Sequence, residues 1–102
     1  MTYPEVVDFE WNPANDLENQ RKHGISFADA VRVFDSEELC LDIFDEVHSD
    51  TEERFITIGP VRDGLVLVVW TEREMDIVRV IGARWATTTE RDLYRRHMEN
   101  GP

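Results

Sequence analysis

The sequence has little of what secreted, membrane-spanning or disulfide-bonded proteins are built from. Its one cysteine, Cys40, cannot form an internal disulfide, and its apolar neighbours Leu39 and Leu41 favour a strand position over a reactive thiol. The longest apolar run, residues 65–70, is much shorter than the roughly 20 residues that a membrane helix needs. The first residues have neither the basic region nor the apolar segment of a secretion signal. We therefore predict one domain over residues 1–102, cytoplasmic and without a membrane partner.

Motifs of metal, nucleotide and serine-nucleophile chemistry are also missing. The histidines His23, His48 and His97 are scattered, and no His/Cys pair has the spacing of metal ligands. Glycine-rich phosphate loops and the motifs that surround a catalytic serine are not found. We therefore expect no metal site and no cofactor.

Basic residues are few and unevenly placed in this acidic chain, whose net charge is -11. Residues 1–53 hold 15 Asp/Glu against 3 Lys/Arg, whereas residues 54–102 hold 7 Asp/Glu against 8 basic residues, all of them arginine. The overall charge argues against a nucleic-acid partner. Arginine, however, binds phosphate through a planar fork. Two interpretations stay open: a solvated arginine-rich surface, or an acidic half that meets a basic partner while a few arginines line a separate site.

Hydrophobic periodicity and capping signals predict the order β-α-α-β-β-β-β-α. A first strand over residues 6–11 places Phe9 and Trp11 on one face, and Asn12 caps a helix that ends at about His23 before Gly24. A second helix ends near residue 34, strands follow over residues 39–44, 54–58, 65–70 and 77–81, and a closing helix runs to about residue 97. Short turns between the strands imply an antiparallel meander, with the helices packed against it. This is an α+β fold.

Cationic side chains stand at the ends of the predicted strands. Arg54 begins one strand, Arg73 follows the apolar central strand, and Arg84 follows the last strand. In an antiparallel meander such positions can share one edge of the sheet. Whether the three arginines converge depends on the register, which the sequence leaves open.

Other candidate residues have a structural explanation beside the functional one. Lys22 and His23 end the first helix, where cations favourably meet the negative end of the helix dipole. Glu72 is a weak candidate base, because neighbouring arginines lower the pKa of a carboxyl group. Trp70 and Trp85 could stack on RNA bases, or they could pack in the core.

Longer segments of the chain resemble the BrnT-type toxins over roughly residues 8–96. The similar segments are Phe9 to Pro13, Arg21 to Phe27, Asp45 to Ser49, Glu52 to Phe55, Thr71 to Arg73, Ile81 to Thr87, Glu90 to Arg91 and Tyr94. The resemblance implies a RelE-like ribonuclease that inhibits translation by cutting RNA. It also implies a BrnA-type antitoxin that has a DNA-binding domain and holds the toxin inactive in a hetero-oligomer.

Carried over residue by residue, the resemblance implies functional roles for Lys22, Arg54, Arg73 and Arg84, and secondary roles for His23 and Glu72. The family often has a small polar residue at the position of Gly82 and a basic residue at that of Trp85. The implied reaction needs no metal: the RNA 2′-hydroxyl attacks the adjacent phosphorus, and guanidinium groups stabilise the charge that develops.

A second hypothesis from a different class is an inactive or weakly active toxin-like protein that binds a basic partner through its acidic half. Direct DNA binding by this chain is not expected, because it has no basic recognition helix.

Overall fold

A computed structural model describes residues 8–46, 52–62, 64–74 and 76–101 of the chain. Val6 and Val7 of the predicted first strand, and His48 and Asp50 of the acidic loop, lie outside the described residues. The described ranges contain these strands and helices: β1 Asp8–Glu10, α1 Pro13–His23, α2 Phe27–Ala30, β2 Leu41–Phe44, β3 Phe55–Val61, β4 Gly64–Arg73, β5 Ile77–Trp85 and α3 Thr88–Glu99. Two 3₁₀ segments, Val31–Asp35 and Glu37–Leu39, connect α2 to β2. No helix in these ranges is both long and apolar enough to cross a membrane.

Local capping signals fix both ends of α1 and the beginning of α3 where the sequence predicts them, whereas the predicted second helix is α-helical only to Ala30 and continues to Asp35 as a 3₁₀ segment. The Asn12 side chain accepts hydrogen bonds from the first backbone N–H groups of α1, and Gly24 ends that helix with a left-handed φ of 71°. At α3, Thr87 and Glu90 form the predicted reciprocal capping box. These helix boundaries are confirmed because each depends on residues within one turn.

The sheet is mixed, which corrects the predicted antiparallel meander. Its strand order is β1-β5-β4-β3-β2, and β1 pairs in parallel with β5 while the other pairs are antiparallel. Short turns dictate antiparallel pairing only between consecutive strands. The neighbour of β1 is set instead by long-range packing, since Phe9 contacts Phe34 with ring centroids 5.6 Å apart.

The larger part of the core lies on one side of this sheet, called here the helix face, while Ile58 and Leu67 are buried on the other side. Val66, Val68 and Trp70 of β4 pack there against Phe27 and Phe34. Because strand side chains alternate, the residues between them emerge on the opposite side, called here the second face. The central position predicted for β4 is confirmed, since β4 is third of the five strands.

Strand β5 extends beyond its predicted end, and this changes the position of Arg84 relative to the strand. Val69 pairs with Gly82 while Trp70 pairs with Val80, so Ile81 is an extra residue that forms a β-bulge. Pairing with β4 resumes after the bulge and continues to Trp85. Arg84 therefore lies inside a strand, where the sequence predicts a position after it.

Candidate active site on the second face

Three arginines lie on or next to neighbouring strands at the end of the sheet where β4 ends, with their side chains on the second face. Arg79 of β5 lies opposite Thr71 of β4, and Arg73 lies two residues further along β4. Phe55 packs on the helix face, so Arg54, which precedes it, begins on the second face. Neighbouring strands are about 4.8 Å apart, which places the Cα atoms of the three arginines within roughly 10 Å of one another. The register thus places Arg73 and Arg79 on one face and Arg54 at the same end of the sheet, where its Nε lies 3.9 Å from Oε1 of Glu52.

A single carboxylate connects two of these arginines. Oε1 of Glu10 lies 3.6 Å from Nε of Arg73 and 3.3 Å from Nη1 of Arg79, which donates a hydrogen bond to it. All three side chains are part-exposed, by 40%, 54% and 32% respectively. Two guanidinium groups facing one carboxylate leave a net positive charge on this part of the face.

Arg84 does not join this group, so the hypothesis of three arginines from Arg54, Arg73 and Arg84 around one phosphate is corrected. The register places Arg84 opposite Leu67, which is six residues from Arg73 along β4. At about 3.3 Å per residue that separation is about 20 Å.

Arg84 instead forms hydrogen bonds with the first turn of α3. Its Nη1 and Nη2 donate hydrogen bonds of 2.7 and 2.8 Å to the two carboxylate oxygens of Glu90. Glu90 also accepts the backbone N–H of Thr87 at 2.8 Å. The hydrogen bonds from Arg84, and secondarily that from Thr87, lower the pKa of Glu90 from 4.5 to about 2.

Lys22 and His23 also lie away from the arginine group. Asn19, one turn before them in α1, accepts a hydrogen bond from the backbone N–H of Ala83, beside Arg84. Lys22 is 61% exposed and its Nζ lies 3.6 Å from a carboxylate oxygen of Glu18. These two residues therefore belong to the Arg84 end of the molecule, and the predicted site residues divide between two ends of the sheet.

Neither tryptophan offers a free ring to RNA on the second face. Trp70 is 1% exposed, stacks on Phe55 at 4.8 Å and donates a 2.8 Å hydrogen bond to Oγ1 of Thr57. Trp85 pairs with Val66 on the helix face, and its ring lies so close to Gly64 that a Cβ there would approach it to 3.0 Å. Of the two roles left open by the sequence, Trp70 therefore has the core role and its stacking on RNA is corrected, whereas Trp85 is part-buried and its stacking role stays a prediction.

Glu72 is exposed at the end of β4 and shares an open cleft of about 430 Å³ with Arg73. The remaining lining residues are Glu52, Glu53, Phe55, Thr71 and Glu74. Four carboxylates against one guanidinium repel a phosphate from within the cleft. A phosphate has a more favourable approach to Arg73 from the second face, whereas Glu72 pairs with Val78 and leaves the end of β4 on the helix face.

Comparison with known proteins identifies the family of this chain. Residues 11–90 match the family model described as the ribonuclease toxin BrnT of a type II toxin–antitoxin system. The chain belongs to the BrnT family. It is also similar to the 1.1 Å crystal structure of the Brucella abortus ribonuclease toxin BrnT, with a TM-score of 0.62 and 22% sequence identity over 81% of this chain and 100% of that one. No curated protein matches the sequence.

Within this BrnT-family fold, sequence reasoning missed Arg79 and Glu10. A signal for Arg79 was present, because it is the one charged residue in the apolar stretch Ile77 to Ile81, and a charge at an alternating position marks the more exposed face of a strand. The signal for Glu10 was weaker: it is a charged residue that alternates with the aromatic residues Phe9 and Trp11. Within the ranges that the structure describes, no group of three or more His, Cys, Asp or Glu side chains could hold a metal ion.

Proposed function

We propose that this BrnT-family chain is a cytoplasmic, metal-independent endoribonuclease that inhibits translation, and that a BrnA-type antitoxin neutralises it in a hetero-oligomer. The observation that carries the proposal is the position of Arg54 and Arg73 at the same end of the same sheet face. The description of the matched family as ribonuclease toxins supports the same reaction.

The proposed reaction transfers a phosphoryl group within the RNA. The 2′-oxygen loses its proton and bonds to the adjacent phosphorus, while the bond from phosphorus to the 5′-oxygen breaks. The products are a 2′,3′-cyclic phosphate and a 5′-hydroxyl end, whose proton comes from water. Negative charge accumulates on the non-bridging oxygens, and the fixed guanidinium groups of Arg54 and Arg73 stabilise it. Losing one such group lowers the rate by about 10²–10³-fold.

Of the predicted acid–base residues, Glu72 is the proposed acceptor of the 2′-hydroxyl proton, because its exposed side chain at the end of β4 is the nearest to Arg73 and would have to turn toward the second face. It lines the same cleft as Arg73, whereas Lys22 and His23 lie with the Arg84 end of the sheet. A general base has to be within hydrogen-bond reach of the proton it takes. Lys22 and His23 are therefore proposed to contact more distant parts of the RNA rather than the reacting phosphate.

The antitoxin is proposed to supply any DNA binding of the complex. The arginines of α3 are poorly placed for a DNA backbone, since Arg95 already lies 3.0 Å from Asp92 and 4.0 Å from Glu99. Exposed acidic residues near β2, among them Glu37 and Glu38, suit a basic partner surface and speed its association.

Expression of Arg73→Ala beside wild type tests the proposal. We expect wild type to arrest growth and produce RNA fragments with 5′-hydroxyl ends, and Arg73→Ala to do neither while staying folded. Arg32→Ala is the matched control, because Arg32 is an exposed arginine on the 3₁₀ segment that packs at the helix face. Undiminished cleavage by a folded Arg73→Ala variant would remove Arg73 from the reaction.

The second candidate is a toxin-like protein without activity that retains antitoxin binding. It is favoured by the net charge of -11 and by the four carboxylates in the cleft beside Arg73. Harmless expression of the wild-type chain, together with binding to a basic antitoxin that weakens as salt is raised, would support this candidate over the nuclease.

A further inference from the structure

Glu10 is held on the second face by its two aromatic neighbours. Phe9 packs on Phe34 with ring centroids 5.6 Å apart, and Trp11 meets Phe27 edge-on at 6.1 Å. Both rings point to the core, and Phe9 and Glu10 alternate in β1. The Glu10 side chain is thereby directed to the opposite face, where it contacts Arg73 and Arg79.

Arg79 is fixed in the same way from the adjacent strand. Val78 and Val80 on either side of it are 0% and 2% exposed on the helix face, so the backbone at Arg79 is anchored. Its pairing is parallel with Glu10 and antiparallel with Thr71. The guanidinium group therefore extends over the second face toward the position of Arg73.

Most of the donors on these two arginines remain available to a ligand. Within the ranges that the structure describes, Arg79 makes one hydrogen bond, to Glu10, and Arg73 makes one ion pair, to the same oxygen atom. Each guanidinium group carries five N–H donors in a planar fork that matches the oxygens of a phosphate. The arrangement thus combines fixed direction with unused donors.

We infer that Arg79 is a phosphate-binding residue and that Glu10 is a positioning residue, which holds Arg73 and Arg79 toward one phosphodiester of RNA. The inference rests on the proposed ribonuclease function and deepens it. Glu10 is not assigned as the base, because both of its described ion pairs are to the arginines that it orients. Holding both side chains in advance removes the reorganisation that the reaction would otherwise require.

The test of Arg79 is RNA affinity as a function of salt. The probe is a fluorescent, single-stranded 12-nucleotide RNA with 2′-O-methyl groups, which is bound but cannot be cut. For Arg79→Gln and Arg79→Ala, we expect the slope of log affinity against log salt to become shallower by about 0.7, the value for one lost phosphate contact on a single strand. Arg32→Ala, with the same charge change, serves as the control. An unchanged slope in both Arg79 variants would overturn the phosphate-binding role.

The test of Glu10 separates binding from turnover. Glu10→Gln keeps the shape of the side chain and removes its charge, so we expect it to bind the probe at least as tightly as wild type. We expect its rate of RNA cleavage to fall by about ten- to a hundredfold, because the two arginines are no longer held in the reactive geometry. Cleavage at the wild-type rate would overturn the positioning role. So would a loss of binding and cleavage together with a lower Tm, which indicates a purely structural residue.

These results separate the inference from the proposed function. If wild type binds the probe but cuts no RNA, and the Arg79 variants still lose 0.7 of slope, the nuclease proposal fails while the phosphate-binding role of Arg79 stands. If Arg73→Ala abolishes cleavage while the Glu10 and Arg79 variants behave as wild type, the nuclease proposal stands and the inference fails.

Discussion

Replacing Glu90 by glutamine tests the assignment of Arg84 to structure rather than to chemistry. The pKa of Glu90 is held at about 2 in the fold, against 4.5 ordinarily, mainly by the two hydrogen bonds from Arg84. Taken in full, that shift corresponds to about 3 kcal/mol at neutral pH. Because both side chains are part-exposed, by 37% for Arg84 and 23% for Glu90, we expect screening to reduce it to about 1.5 kcal/mol.

The pH dependence of this loss has a definite sign. A lowered carboxyl pKa stabilises the fold fully above the unfolded-state pKa of 4.5, and the stabilisation disappears as pH falls toward 2. Thermal unfolding followed by circular dichroism should therefore show a Tm for Glu90→Gln about 6–12 °C below wild type at pH 7. The two unfolding curves should approach each other between pH 4.5 and 2.

Asp92→Asn on the same helix is the matched control. Asp92 pairs with Arg95 at 3.0 Å on the exposed side of α3, where such a pair contributes less than about 0.5 kcal/mol. Equal Tm values for Glu90→Gln and wild type at pH 7, or a difference that stays constant down to pH 3, would refute the reasoning for Glu90.

Three further substitutions probe the fold and the division of the site. Arg84→Lys should lower the Tm, since lysine cannot make the two-pronged contact, yet leave RNA cleavage per folded molecule within about twofold; abolished cleavage at an unchanged Tm would return Arg84 to the reaction. Thr57→Val should lower the free energy of unfolding by about 1–3 kcal/mol in urea titration, because the buried Nε1 of Trp70 loses its acceptor; no change would contradict that hydrogen bond. Gly59→Ala should destabilise by about 1–3 kcal/mol, because its Cβ would lie 2.6 Å from a methyl group of Val33; a stability equal to wild type would show that the core yields there.

Much of the fold could be predicted because its signals are local. Asn12, Gly24 and Thr87 fix helix ends through hydrogen bonds and backbone angles within a few residues. The apolar stretch of β4 likewise identifies the central strand without knowledge of its neighbours. The parallel partner of β1 has no such local signal, since it depends on how Phe9 packs after two helices have intervened.

The site was less predictable, because it depends on register. Arg54 and Arg73 lie at the same end of the sheet, but the antiparallel pairing of β4 with β5 places the end of β5, and with it Arg84, at the other end. Only the pairing of β1 with β5 places Glu10 beside Arg79. A shift of one residue would have turned these side chains to the helix face, and no composition or spacing reveals it.

A double-mutant cycle on Arg54 and Arg73 measures most directly whether the second face gathers its arginines around one phosphodiester. The rate of cleavage of an RNA cut by the wild-type chain is compared for Arg54→Ala, Arg73→Ala and the double variant. Residues that act on the same phosphate are coupled. We therefore predict that the fold-loss of activity in the double variant is at least ten times smaller than the product of the two single fold-losses. Losses that multiply without coupling, in variants that remain folded, would contradict a shared phosphate.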